Sequence, residues 1–372
     1  MFFGTLISPT RFAASISAAV LTISLAACGG DTTDSAADSA GSSDQVAFSQ
    51  SVAITGAGAS FPFPIYQRWF SDLNQKEPNL QVDYQSVGSG AGVKQFTAET
   101  VDFGASDVAM TDEEIAKVER GVLMLPMTAG SVVLAYNIPG VEGGLKLSQE
   151  ALADILLGKI KNWNDPKITA DNPDLNLPDM NITVVHRSDG SGTTGVFTKN
   201  LSAMSKEWSD KVGEGKTVEW PTGVGGSKND GVTAQIAQNE GAIGYVEYGY
   251  AKTKGLAMAA LENKAGNFIE PSDDSASKTL SAVELPENLR AFVTNPEGAD
   301  SYPIVTYTWL LAYKEYDDPE IAKAVEAAIE YGLTEGQKVA PDLGYIPLPE
   351  NVIEKVAAVA DQISPDYEIK VK

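Results

Sequence analysis

The stretch "NITVVHRSDGSGTTGVFTKNL" (residues 181–201) decides the fold. Its first residues are β-branched and apolar as in a strand. Gly190, Gly192 and Gly195 then punctuate a polar turn, and the remainder carries a helical pattern. A strand feeding a glycine turn that opens a helix is the repeating unit of α/β proteins, in which helices join and cover the strands. The three glycines also have the spacing G-x-G-x-x-G of a dinucleotide-binding turn. That turn needs an acidic residue ending a second strand about 20 residues on. Here Glu207 lies in "SAMSKEW", whose pattern is helical, and Arg187 and Asp189 in front of the glycines have no part in such a turn. The stretch therefore reads as an α/β turn built for some other anion.

The same unit recurs upstream. "SVAITGAG" (51–58) is a strand entering a glycine turn, and "FPIYQRWFSDLNQ" (63–75) a helix with Ile65, Trp69 and Leu73 at four-residue spacing and prolines only at its start. "LQVDYQSVGSGAGVKQFTAE" (80–99) repeats strand, turn and helix. "VDFGASD" (101–107) is a short strand ending at Asp107, and "TDEEIAKVE" (111–119) a helix with Thr111 as N-cap and Glu114 completing a capping box. "SVVLAYNI" (131–138) is apolar throughout, as in a strand covered on both faces. "SQEALADILLGKIKNW" (148–163) reads as a helix capped by Ser148. "GAIGYVEYGYA" (241–251) and "PIVTYTWLLAY" (303–313) read as strands, and "DPEIAKAVEAAIEYGL" (318–333) and "PENVIEKVAAVADQI" (349–363) as amphipathic helices. "SASK" (275–278) matches the S-x-x-K of a serine nucleophile but falls in a polar loop without companion motifs.

A chain of 372 residues with 43% hydrophobic content can build about two domains. Its 27 Lys and Arg against 50 Asp and Glu give a net charge of −23, which repels nucleic acid and anionic membrane surfaces. Arg11 and the short apolar run "FAASISAAVLTISLAAC" (12–28) have the form of an export signal, residues 1–27. Cys28, the only cysteine, follows the small residues of "LAAC", so no internal disulfide is available to the exported chain. Cys28 at this point resembles the acylated cysteine of a bacterial lipoprotein. Residues 28–50 are rich in Gly, Ser, Ala and Asp and read as an acidic, flexible tether.

Three turns, "TGAGASF" with Ser60, "VGSGAG" with Ser89 and "RSDGSGTT" with Ser191, Gly192 and Thr193, each place hydroxyls and glycine backbone before a helix. The first turn of a helix offers unpaired N–H groups and a positive dipole end, so three of them form an oxyanion cradle that needs no net positive charge. Arg187, one of five arginines, adds a planar fork suited to a tetrahedral anion, and Asp189 can orient it. Enzyme signatures are missing: there is one histidine, His186, no G-x-S-x-G elbow, no P-loop, and too few Cys and His for a metal cluster. His186 reads as a strand-end residue near solvent.

Taken in order, "TGAGASFPFPIYQRW", "YQSVGSGAGVKQF", "TVDFGASD", "GKIKNWND", "RSDGSGTT" and "GAIGYVEYGYAK" resemble the PstS family, the periplasmic phosphate-binding proteins of the high-affinity phosphate ABC transporter, from about residue 52 to about residue 360. The resemblance implies an α/β two-lobed periplasmic-binding-protein fold of type II, each lobe a mixed sheet flanked by helices, joined by two hinge crossovers. Lobe 1 is expected at 51–134 and 306–372 and lobe 2 at 135–305. It implies phosphate binding by Ser60, Phe61, Ser89, Asp107, Arg187, Ser191, Gly192 and Thr193, with Asp189 holding Arg187. The sequence departs from the family in having Ser60 where Thr is common and Gly90-Ala91-Gly92 where Ser-Gly-Gly is common.

The function expected is capture of inorganic phosphate outside the cytoplasm, without catalysis, cofactor or metal, and its delivery to permease subunits driven by a cytoplasmic ATPase. The protein would be a monomer in the periplasm or at the cell surface, touching the membrane only through lipidated Cys28. The alternatives are a binding protein for another tetrahedral oxyanion such as arsenate, or a phosphatase.

Overall fold

The computed structural model describes residues 48–371. The expected signal at 1–27, Cys28 and the tether up to residue 47 lie outside the described residues. β1 (Val52–Gly58) lies between β2 (Leu80–Ser86) and β3 (Phe103–Ser106), all parallel. β4 (Val122–Asn137) is followed by β5 (Lys146–Leu147), β6 (Thr183–Arg187), β7 (Val224–Gly226) and β8 (Ala242–Glu247). β9 (Ala257–Met258), β10 (Ala260–Glu262), β11 (Phe268–Ile269) and β12 (Val305–Tyr313) complete the strands. The main sheet runs β2-β1-β3-β12-β4-β8-β6-β7 with β9 added on β4, and β11-β10-β5 forms a small separate sheet.

β4 carries this arrangement. It pairs antiparallel with β12 up to Ser131 and with β8 from Val132 onward, so two mixed half-sheets share one strand. Its residues are buried from Val122 to Tyr136, in keeping with an apolar run covered on both faces. The sequence pattern shows this strand only from residue 131. Pro126 hides the earlier half, since proline cannot donate to a ladder; the strand accommodates it at a shift of register opposite Trp309.

Four other expectations are corrected. The helix read over 148–163 ends at Leu156, because Gly158 turns the chain out with a φ of +71°. The strand read over 241–251 stops at Glu247, whose side chain accepts from Gly249 N and caps the helix Tyr248–Lys254. "SASK" belongs to the helix Asp273–Ser281, not to a loop. The caps expected at Thr111 and Ser148 are present, the first as a full capping box, but the helix read over 111–119 is shorter and ends at Ile115.

The helix Phe63–Lys76 buries Ile65, Tyr66, Trp69, Phe70 and Leu73, the stripe its spacing predicts. Trp69 Nε1 donates to Gly336 O at 2.8 Å, tying this helix to the C-terminal part of the chain. Gly92 brings the helix Ser89–Thr97 down onto the end of β1: a Cβ there would lie 2.8 Å from Ala57 O. That close approach carries the second glycine turn to the first.

Candidate functional site

The expected site residues stand at the C-terminal ends of β1, β2, β3 and β6, where open α/β sheets leave helix N-termini facing a crevice. Asp107 directly follows β3 and is 1% exposed. Its Oδ1 accepts from Thr308 Oγ1 at 3.1 Å and its Oδ2 from Thr193 Oγ1 at 3.2 Å. Its backbone N–H donates to Ser89 Oγ at 3.3 Å. β3 and β12 hold the carboxylate from the first half-sheet, and Thr193 reaches it from the second.

Arg187 ends β6 with its side chain 1% exposed. Nε and Nη2 donate to the two oxygens of Asp189 at 2.9 and 2.6 Å, and Nη1 donates to Thr193 Oγ1 at 3.3 Å. A guanidinium has five N–H groups. Three are engaged here, which leaves one hydrogen on each of Nη1 and Nη2, the fork that grips two oxygens of one anion. The backbone N–H of Arg187 donates to Tyr245 OH at 3.0 Å, and Tyr245 OH also pairs with Thr194 Oγ1 at 2.6 Å. The strand end and the helix after it are thus bound to one phenol.

Ser191 caps the helix Gly192–Met204, its Oγ accepting from Thr194 N at 3.0 Å while its own N–H donates to Lys216 O at 2.8 Å. The Ser191 hydroxyl proton, not its backbone, is therefore the group available to a ligand. Ser60 and Phe61 are braced through their carbonyls, which accept from Tyr250 OH and Tyr345 OH, each at 2.6 Å. Ser60, Phe61, Ser191, Thr194, Tyr250 and Tyr345 are all buried.

The two half-sheets meet at this point through main chain. Gly90 N donates to Gly190 O at 2.8 Å, and Lys216 pairs with Glu114 at 2.8 Å beside it. Gly192 packs so closely that a Cβ would overlap Ser89 Oγ and lie 2.8 Å from Asp107 N. A Gly192→Ala variant is expected to weaken anion binding by about fivefold or more, since overpacking against a backbone atom costs roughly 1–3 kcal/mol. Calorimetry, with thermal melting of the ligand-free variant as control, checks this. Unchanged affinity would show that the contact is not made in the bound state.

Burial pushes the Asp107 carboxyl up to about 7, against the downward pull of Arg187, Thr308 and Thr193. Burial also raises Asp189, but its hydrogen bonds from Arg187 outweigh that and leave it below its usual range. One carboxylate is therefore committed to the guanidinium, while the other is poised between its two protonation states. A single hydroxyl, that of Thr193, separates the Asp107 acceptor from the Arg187 donor.

Thr308, Tyr245 and Asn229 were missed by sequence reasoning. Thr308 was visible as one of two polar residues in "PIVTYTWLLAY". Asn229 follows "VGGS", a fourth strand and glycine turn before a helix, Lys228–Gln238. His186 is partly exposed and stacks on Trp220 with centroids 4.9 Å apart. Among the described residues no group of three or more His, Cys, Asp or Glu is placed to hold a metal ion, and no helix is long and apolar enough to cross a membrane.

Two mixed half-sheets that share β4 and bring the buried Ser89, Asp107, Arg187 and Thr193 together have the form of the two-lobed solute-binding proteins, and a family model described as the PBP superfamily domain matches residues 31–335. The chain is 48% identical to a protein of Pasteurella multocida named phosphate-binding protein PstS, over 83% of this chain and 90% of that one. It is 40% identical to a protein of the same name from Methanocaldococcus jannaschii, over 81% and 84%. The chain belongs to the PstS family of phosphate-binding proteins. A solved phosphate-binding protein of Stenotrophomonas maltophilia, 20% identical, has the same fold with a TM-score of 0.65 over 82% of this chain and 93% of that one.

Proposed function

We propose that this protein captures inorganic phosphate between its two half-sheets and delivers it to a phosphate ABC importer. The single observation that carries this reading is the buried pair of Asp107 and Arg187 on either side of Thr193. Arg187 supplies two N–H groups to phosphate oxygens, and Ser60, Ser89 and Ser191 supply hydroxyl protons. Asp107 can only accept when ionised, so it selects an oxyanion that still carries a proton. Phosphate has one at neutral pH and sulfate has none. The backbone N–H groups of Phe61, Gly192 and Thr193 complete the donor set in this reading, and Asp189 keeps the guanidinium plane aimed at the ligand.

The lobes divide where β4 changes partner and where β12 enters, close to residues 134 and 305. Since donors come from both, ligand binding favours the closed arrangement through a shift of population. The chain works without catalysis, held at the outer face of a membrane by lipidated Cys28, and meets the permease as a monomer. Names of relatives that call them phosphate-binding proteins support this reading.

Isothermal titration with phosphate, sulfate and arsenate tests it. Tight binding of phosphate, competition by arsenate, and sulfate weaker by orders of magnitude are expected, with a simple phosphate ester left intact. Equal affinity for sulfate and phosphate would overturn the reading.

A further inference from the structure

Ser60 and Asn229 lie in different half-sheets and meet in the buried interior, 1% and 0% exposed. Ser60 Oγ accepts twice from Asn229, from the side-chain Nδ2 at 3.0 Å and from the backbone N at 3.2 Å. A serine hydroxyl has two acceptor positions and one proton. With both acceptor positions filled by one residue, the proton is turned away from Asn229 and has to be donated elsewhere. Asn229 is itself oriented: its Oδ1 accepts from Glu247 N at 3.0 Å, which places Nδ2 toward Ser60 and assigns the amide unambiguously. Its neighbour Lys228, at a φ of +60°, donates its N–H to Asp189 Oδ1 at 2.8 Å. The turn that presents Asn229 is thus tied to the same carboxylate that holds Arg187.

We propose that Asn229 is a positioning residue for the anion: by saturating the acceptor sites of Ser60 it makes that hydroxyl an obligate donor, and it can do so only when the two half-sheets are together. Closure then changes the chemistry of the site and not only its access. In the separated arrangement water supplies donors and acceptors to Ser60 alike, so the hydroxyl has no preferred sense. In the closed one it points its proton at the ligand. This rests on the phosphate reading above, since it takes Ser60 to face the anion.

The test is a double-mutant cycle on the full chain, with inorganic phosphate as the probe. Asn229→Ala removes the Nδ2 donor, and Asn229→Asp keeps the shape while replacing that donor with an acceptor. Each is combined with Ser60→Ala, and affinity is measured by calorimetry and dissociation by stopped flow. In the wild-type background each change at Asn229 is expected to raise Kd at least tenfold, chiefly through faster dissociation. In the Ser60→Ala background the same change is expected to be at least fivefold smaller, because its target is gone; the cycle subtracts any direct effect of the introduced carboxylate on the anion. If Asn229→Ala does not melt cooperatively, the Asn229→Asp arm carries the test. A Kd within twofold of wild type, or the same fold-change with and without the Ser60 hydroxyl, overturns the inference while leaving the phosphate reading intact. Failure of the wild-type chain to bind phosphate overturns both.

Discussion

Replacing Arg187 with alanine is expected to weaken phosphate binding by about two to four decades. The side chain is 1% exposed, with three of its hydrogens held by Asp189 and Thr193 and two left for the proposed ligand. Removing one partner of a buried charge pair costs about 3–5 kcal/mol, and each 1.4 kcal/mol is tenfold in Kd. The loss also strands Asp189, and it raises Asp107 further by removing the guanidinium that pulls it down. Arg187→Lys is expected to recover only part of the affinity, since an ammonium cannot contact Asp189 and the anion through one rigid plane. Calorimetry on both variants, with melting curves to confirm folding, gives the ratio. A Kd for Arg187→Ala within tenfold of wild type would mean that the guanidinium does not touch the ligand.

Asp107→Asn is expected to change selectivity more than affinity. An amide keeps an acceptor for Thr308 or Thr193 and gains N–H groups, so sulfate no longer meets a bare carboxylate. An unpaired buried polar group costs about 1–3 kcal/mol and more when charged, which sets the expected narrowing of the phosphate-to-sulfate ratio at about tenfold or more. A pH dependence is expected in the wild type for the same reason. With the empty-site carboxyl at about 7, Asp107 is protonated well below that pH and can donate to sulfate, so rejection of sulfate is expected to weaken as pH falls from about 8 to about 5. The sign for stability follows from the raised value. The folded state holds this proton more tightly than the unfolded one, so the stabilisation is present at low pH and is lost as pH rises through about 7. Competition titrations across pH check the selectivity, and melting curves across the same range check the stability. A selectivity independent of pH in the wild type, or unaltered in Asp107→Asn, would remove Asp107 from the ligand.

The three glycine turns were legible because glycine, serine and threonine before a helix have few other uses together, and the structure places Ser89, Gly192 and Asp107 in direct contact. The contact of Asp189 with Arg187 was legible from their spacing, and it is present with two prongs. Thr308 was not, because a threonine in a strand is ordinarily a β-former, and only the register of β12 on β3 aims it at Asp107. Asn229 escaped for the opposite reason: its strand is only three residues long, too short for any periodicity to show. Pro126 concealed the first half of β4, whose pairing with β12 is a long-range fact that no local pattern carries.

That strand has a mechanical consequence. Because β4 holds its ladders with β12 and β8 along a single strand of 16 residues, the two halves are not joined there by a slack linker. Any rotation of one against the other must be absorbed as added or released twist in a buried β-ladder near Ser131 and Val132, where hydrogen bonds resist it. Under the proposed closure this shared strand would act as a torsion spring, opposing any twist away from the geometry in which its two ladders are relaxed.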